Sequence, residues 1–147
     1  MIYIGADHGG FSLKKHLKQY LTRKGYEVND EGNTKLEPLD DYVDFAVKVA
    51  ENIKKNPETD RGILICRNGV GVCIAANKIA KIRCGLGFNP EMVKYSSLHD
   101  NINILSLPAD YVSEKEAEEM VEAYLTTDFS REVKYQRRLD KISDLEK

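Results

Sequence analysis

Two rhythms of apolar residues alternate along the chain. Short unbroken apolar runs read as strands: Ile2–Ala6, Tyr26–Asn29, Gly62–Cys66, Ile82–Gly87 and Ile102–Leu107. Between them, apolar positions return every three or four residues and read as helices. Leu13, Leu17, Tyr20 and Leu21 share one face of a helix over 11–24, and Gly25 follows as its C-cap glycine. Tyr42, Phe45, Ala46, Val49, Ala50 and Ile53 form a second stripe that ends before Asn56-Pro57. A small-residue helix is predicted over 72–80, and another from Pro90 to about Leu98. Ser113 and Glu116 make a capping box before the stripe Ala117, Met120, Val121, Tyr124 and Leu125. The last helix, 131–146, carries only Val133, Leu139, Ile142 and Leu145 among many charges. That is too sparse for a core helix, so it lies on the surface or packs on a partner.

Alternation of this kind predicts parallel βαβ units with right-handed crossovers. The expected fold is a Rossmann-like three-layer α/β/α sandwich with a five-stranded parallel sheet. The length of 147 residues suits a single domain over 1–147. Composition changes the picture little: 41% hydrophobic and 31% charged is a globular balance. Twenty-two basic against twenty-four acidic residues leave a formal charge of −2, with no general pull toward nucleic acid or an anionic membrane. No run approaches a membrane span, and no signal-peptide pattern opens the chain. Three cysteines, at 66, 73 and 84, lack CxxC spacing; they suit a reducing cytoplasm better than a disulfide framework or a zinc site.

Ligands of such sheets bind beyond the C-terminal ends of the strands. Asp7-His8-Gly9-Gly10 follows the first strand, and Arg67-Asn68-Gly69-Val70-Gly71 follows Cys66 at the end of the third. A helix N-terminus after a glycine loop favours the thiolate of a cysteine placed there, and its N–H groups can hold an oxyanion. The plainer reading of Cys66 is a small core hydrophobe, which is also the reading of Cys73 and Cys84. His8 and His99 read as loop residues near strand ends, whereas His16, among charges within the first helix, reads as a solvated surface histidine. Gly69-Val70-Gly71 is no dinucleotide fingerprint, because it follows the third strand and lacks both the last glycine and the acidic partner. The phosphate-binding lysine of a P-loop is also missing. Lys134, Arg137, Arg138 and Lys141 are either a solvated helix face or an anion clamp.

Together, the segments Gly5–Phe11, Asp41-Tyr42, Gly62–Cys66, Gly69–Gly71, Ile74–Lys78, His99, Asn103–Leu105 and Gln136–Ile142 resemble the B-type ribose-5-phosphate isomerases and the related galactose-6-phosphate isomerase subunits. The resemblance covers nearly the whole chain. It implies aldose–ketose isomerisation of a sugar phosphate through a cis-enediolate, without metal or organic cofactor. It also implies a homodimer with two shared active sites, or a tetramer built from such dimers. By that match Cys66 is the proton-transfer base, Gly69, Val70 and Gly71 hold the enediolate oxygen, and Asp7 with His99 from the partner opens the sugar ring. Tyr42 lines the sugar pocket, and His8 and Arg138 meet the phosphate.

The chain departs from the family pattern at several points. Arg67-Asn68 stand where Gly and then Thr or Ser are usual, and the Asn68 amide can replace the lost hydroxyl. Asp100 follows His99 where an asparagine is usual. Asp110 and Lys134 stand at arginine positions, and Tyr135 at a histidine. Two added acids and a softened cation predict a remodelled phosphate site, with Arg67 restoring charge from another direction. The competing readings are an isomerase for a different sugar and a non-catalytic sugar-phosphate-binding subunit.

Overall fold

Gly62–Cys66, the apolar run with no polar interruption, is buried residue by residue. It lies in the middle of a five-stranded sheet in the computed structural model, which describes residues 1–147. Strands β1 (Ile2–Ala6), β2 (Val28–Asp30), β3 (Arg61–Cys66), β4 (Cys84–Leu86) and β5 (Ile104–Pro108) are all parallel, in the order β2-β1-β3-β5-β4. A strand covered on both faces has no solvent side to mark with polar residues, which explains the unbroken run. The two edge strands, β2 and β4, are three residues each. Short edges offer little unpaired backbone to another chain.

Helices α1 (Phe11–Arg23), α4 (Pro90–Asp100) and α5 (Glu114–Thr126) cover one face. Their Leu13, Leu17, Leu21, Val93, Met120, Val121 and Tyr124 pack on Ile2, Ile4, Ile63, Ile65, Leu105 and Leu107. Helices α2 (Tyr42–Ile53) and α3 (Val70–Ala76) cover the other face, closing Val49, Ile53, Val72 and Ala76 over Leu64 and Ile104. Full burial of each large aliphatic side chain stabilises the fold by roughly 1.5–3 kcal/mol, so both faces of the sheet are strongly held. Right-handed crossovers dictate the sides: steps toward β2, and back from β4 to β5, use one face, and steps the other way use the opposite face. Helix α6 (Val133–Asp144) buries only Leu139 and leaves Val133 and Ile142 exposed, and Leu145 just after it is exposed too.

The chain leaves β1 toward one edge and returns to β3 on its other side. The loops after β1 and β3 therefore diverge to opposite faces and open a crevice between them, where α/β sheets bind ligands.

Several boundaries differ from the sequence pattern for local reasons. Strand β2 starts at Val28, because Tyr26 and Glu27 complete the turn after Gly25, whose φ is +89°. Helix α3 begins at Val70 rather than 72, because the Asn68 side chain accepts the Val70 N–H at 3.0 Å. It stops at Ala76, where the Asn77 side chain turns to pair with the backbone of Cys84 at 2.8 and 2.9 Å. The same exchange, with Asn103 holding Arg83 and Lys81, shortens β4. Helix α4 runs two residues past Leu98 to Asp100, where Asn101 turns the chain in the left-handed region with φ +47°.

Candidate active site

At the tip of β1, Asp7 caps a single 3-10 turn, His8–Gly10, and its Oδ1 accepts the Gly10 N–H at 3.2 Å. The turn lies so close to β3 that a Cβ on Gly10 would meet the Ile65 carbonyl oxygen at 2.7 Å. That close approach, which only glycine permits, holds Asp7 and His8 beside the end of β3. Asp7 is 6% exposed.

His8 has a partner that sequence patterning did not single out. Asp40 Oδ1 accepts the His8 backbone N–H at 2.9 Å and lies 2.9 Å from His8 Nδ1. Asp40 Oδ2 accepts from Asn33 at 3.0 Å, and Lys14, almost fully buried, donates to Asp30 and to the Asn33 carbonyl at 2.9 and 2.8 Å. The long polar loop before Asp41 is thus tied down onto His8. The only sequence signal was an acid directly before the Asp41-Tyr42 helix start. Asp7, His8 and Asp40 bring three metal-type donor atoms within 4.8 Å of one another, but His8 Nδ1 and the carboxylates are already engaged in these internal bonds.

Cys66 ends β3 and is 4% exposed. Its sulfur lies 3.9 Å from Asn68 Oδ1, the oxygen that also accepts the Val70 N–H. Asn68 therefore uses the amide of Val70 and leaves those of Gly69 and Gly71 for a ligand. Gly69 has φ +74°, and a Cβ there would meet the backbone of Leu107 and Pro108 at 3.1 Å. No other residue fits that corner without strain. A Cβ on Gly71 would come within 2.7 Å of the Tyr42 ring, so this ring, 40% exposed, lies against the glycine loop. Asp7, His8, Cys66, Arg67, Asn68, Gly69, Val70 and Gly71 thus meet at one end of the sheet, as the strand-end rule predicts, and Tyr42 joins them there.

His99, Asp100, Lys134 and Arg138 do not join them. His99 was expected in a loop near the ligand end; it lies in the last turn of α4, just before β5 begins. That is the N-terminal end of the strands, about 16 Å, one five-residue strand length, from the Cys66 end. There His99 stacks on Tyr135 of α6, with ring centroids 4.2 Å apart and planes 12° from parallel. Lys134 Nζ and Arg138 Cζ lie 4.9 and 5.5 Å from the same ring. Asp100 is exposed beside them. One chain therefore carries two separate groups: a thiol with glycine amides and an acid at one end, and an imidazole with cations at the other.

His16 is also placed differently from the expectation of a solvated residue. Its Nδ1 and Nε2 meet Glu114 and Glu118 at 2.7 and 2.6 Å, joining α1 to α5. Cys84 is buried, as expected, but Cys73 is only partly so, and its thiol donates to the Cys84 carbonyl at 3.3 Å.

Comparison with known proteins gives a consistent set of relatives. Residues 2–142 match the family model described as Ribose/Galactose Isomerase. The chain is 40% identical over 146 residues to the probable ribose-5-phosphate isomerase B of Mycoplasma genitalium, covering 99% of this chain and 95% of the relative. It is 31% identical over 146 residues to ribose-5-phosphate isomerase B of Mycobacterium tuberculosis, covering 99% and 90%. Among solved structures, the Mycoplasma genitalium protein with bound ribulose-5-phosphate superposes with a TM-score of 0.95 at 40% identity, covering 99% of this chain and 95% of that one. The Clostridium thermocellum ribose-5-phosphate isomerase B superposes at 0.93 with 41% identity, covering 99% and 96%.

Proposed function

The chain belongs to the ribose/galactose isomerase family, and from that premise we infer that it interconverts an aldose phosphate and its ketose, with ribose 5-phosphate and ribulose 5-phosphate as the pair. The observation that carries the reading is Cys66, buried at the strand tip beside Asp7 and the Gly69–Gly71 loop.

Isomerisation needs a base near C2, a donor for the enediolate oxygen, and a way to open the ring. The Cys66 thiolate takes the proton from C2 of the open-chain aldose. The electron pair moves into a C1–C2 double bond, and the oxygen that gains charge is held by the Gly69 and Gly71 amides. Cys66 returns the proton to C1 while the hydroxyl proton passes from O2 to O1, and the ketose results. Asp7 takes part in ring opening, Tyr42 and Asn68 bound the sugar, and His8 faces the phosphate. No organic cofactor or metal has a step in this sequence.

His99, Asp100, Lys134 and Arg138 lie at the wrong end of their own chain to serve Cys66. They reach a site only in a homodimer, where His99 of the partner subunit completes the ring-opening pair. The exposed Val133 and Ile142 of α6, with Leu145 just after it, support burial of this helix against a second copy. No helix is long and apolar enough to cross a membrane, and the reading places one 1–147 domain in the cytoplasm.

The test is steady-state isomerisation with proton exchange at C2. Cys66→Ala is expected to lower kcat by roughly a hundredfold or more while the protein still binds ribose 5-phosphate. A variant that keeps a tenth or more of the rate would remove Cys66 from the role of base.

A further inference from the structure

The substrate of this reading is a dianion, yet the Cys66 end of the chain is rich in carboxylates: Asp7, Asp40 and Asp110. Among the residues that meet there, from Asp7 to Asp110, Arg67 is the one permanent cation. Its placement is built by three features. Asp110 donates its backbone N–H to the Arg67 carbonyl at 2.9 Å, which joins the loops after β3 and β5. The Arg67 stem crosses the turn after β1, where a Cβ on Gly9 would sit 2.4 Å from Arg67 Cγ and 3.3 Å from Asp7 Oδ1. The head then reaches Asp110, with Nη1 at 3.5 and 3.4 Å from its two oxygens.

This ion pair contributes little to stability. Its side chains are 62% and 45% exposed, and exposed pairs are screened and weak. The contact is also long compared with a charge-assisted bond of about 2.8 Å, and only one nitrogen of the fork is engaged. The guanidinium is aimed but not saturated, and its stem lies against the turn that carries His8.

We propose that Arg67 is the specificity-determining cation of this half of the site: it grips the anionic end of the substrate, and Asp110 is the counter-ion that parks it when the site is empty. A phosphate dianion offers a guanidinium two oxygens in bidentate geometry and displaces the looser carboxylate. Asp110 thereby weakens anion binding, as a competitor for the same fork, and Gly9 leaves room for the stem. The proposal takes its ligand from the sugar-phosphate reading above.

The experiment is calorimetric binding of inorganic phosphate, and steady-state kinetics with ribose 5-phosphate, for the wild type, Arg67→Ala, Arg67→Lys and Asp110→Asn. Arg67→Ala is expected to weaken phosphate about tenfold or more and to raise KM in step, with kcat changed less than about threefold. Arg67→Lys should fall between, since a point charge replaces a fork. Asp110→Asn should tighten phosphate, because the competitor is gone and Arg67 remains. Equal phosphate affinity in Arg67→Ala and wild type, a fall in kcat at constant KM, or weaker phosphate binding in Asp110→Asn overturns the proposal. The two readings fail separately. If the wild type does not isomerise ribose 5-phosphate but Arg67→Ala still weakens phosphate, the isomerase reading falls and Arg67 keeps its role. If turnover depends on Cys66 while Arg67→Ala leaves KM unchanged, the reverse holds.

Discussion

At the scale of single residues, the site is held by side chains whose partners are far away in sequence. Asp40 is the strongest case, because it meets both the backbone and the ring of His8 across 32 residues of chain. With Nδ1 engaged, the Nε2 edge of the imidazole is the one left for a ligand. On the proposed assignment of His8 to the phosphate and not to proton transfer, Asp40→Ala should free the ring and raise KM for ribose 5-phosphate several-fold to tenfold, with a smaller change in kcat. Asp40→Asn keeps an acceptor oxygen and should recover most of the loss. Equal KM values for Asp40→Ala and the wild type would show that His8 needs no such support. Asn68 is the local counterpart within the glycine loop, with partners two residues to either side. Its Oδ1 holds the Val70 amide and lies near the Cys66 sulfur, so a residue that departs from the family pattern has become part of the loop's own scaffold.

At the scale of elements, the most consequential polar anchor is the bond from α1 to the loop after β2. Lys14 is 2% exposed and donates to Asp30 Oδ1 and to the Asn33 carbonyl. Burial by itself pushes the Asp30 carboxyl up, but the Lys14 bond and the Gly32 N–H together hold it below its ordinary value. The folded protein then binds this proton less tightly than the unfolded chain does. The stabilisation is complete above the ordinary carboxylate value, about 4, and is lost as the pH falls through the lower folded value. Asp30→Ala strands the buried ammonium and should cost about 3 kcal/mol at neutral pH. Urea unfolding should show that gap between variant and wild type narrowing as the pH drops from about 4 toward 2; a gap independent of pH would contradict the linkage. The elements themselves were legible in the sequence, since apolar runs and 3.6-residue stripes follow from burial on the two kinds of surface. Their ends were not, because Asn68, Asn77, Asn101 and Asn103 set them through side-chain bonds or left-handed backbone that hydrophobic patterning does not register. Nor does patterning reveal that β5 enters the sheet between β3 and β4, a choice made by which strands pair.

At the scale of the whole molecule, the sheet separates groups that the proposed mechanism brings together. Strand-end reasoning located Asp7, His8 and Cys66, because the C-terminal ends of β1 and β3 flank the crevice that the topology opens. It misplaced His99, because proximity to a strand in sequence does not say which end of the sheet the residue occupies. Stacked on Tyr135 at the opposite end, His99 can serve Cys66 only across a two-fold interface, in which each copy lends what the other lacks. The most direct measurement is complementation between two inactive variants. Cys66→Ala and His99→Ala are each expected to show little isomerase activity as homodimers. Co-expressed in equal amounts with different tags, half of the random dimers are mixed, and each mixed dimer carries one site with both residues intact. Activity should therefore return to about a quarter of the wild-type value, and purified mixed dimers should reach about half. A mixture that stays as inactive as its parents, or a His99→Ala protein with full activity, would contradict a site shared between two copies.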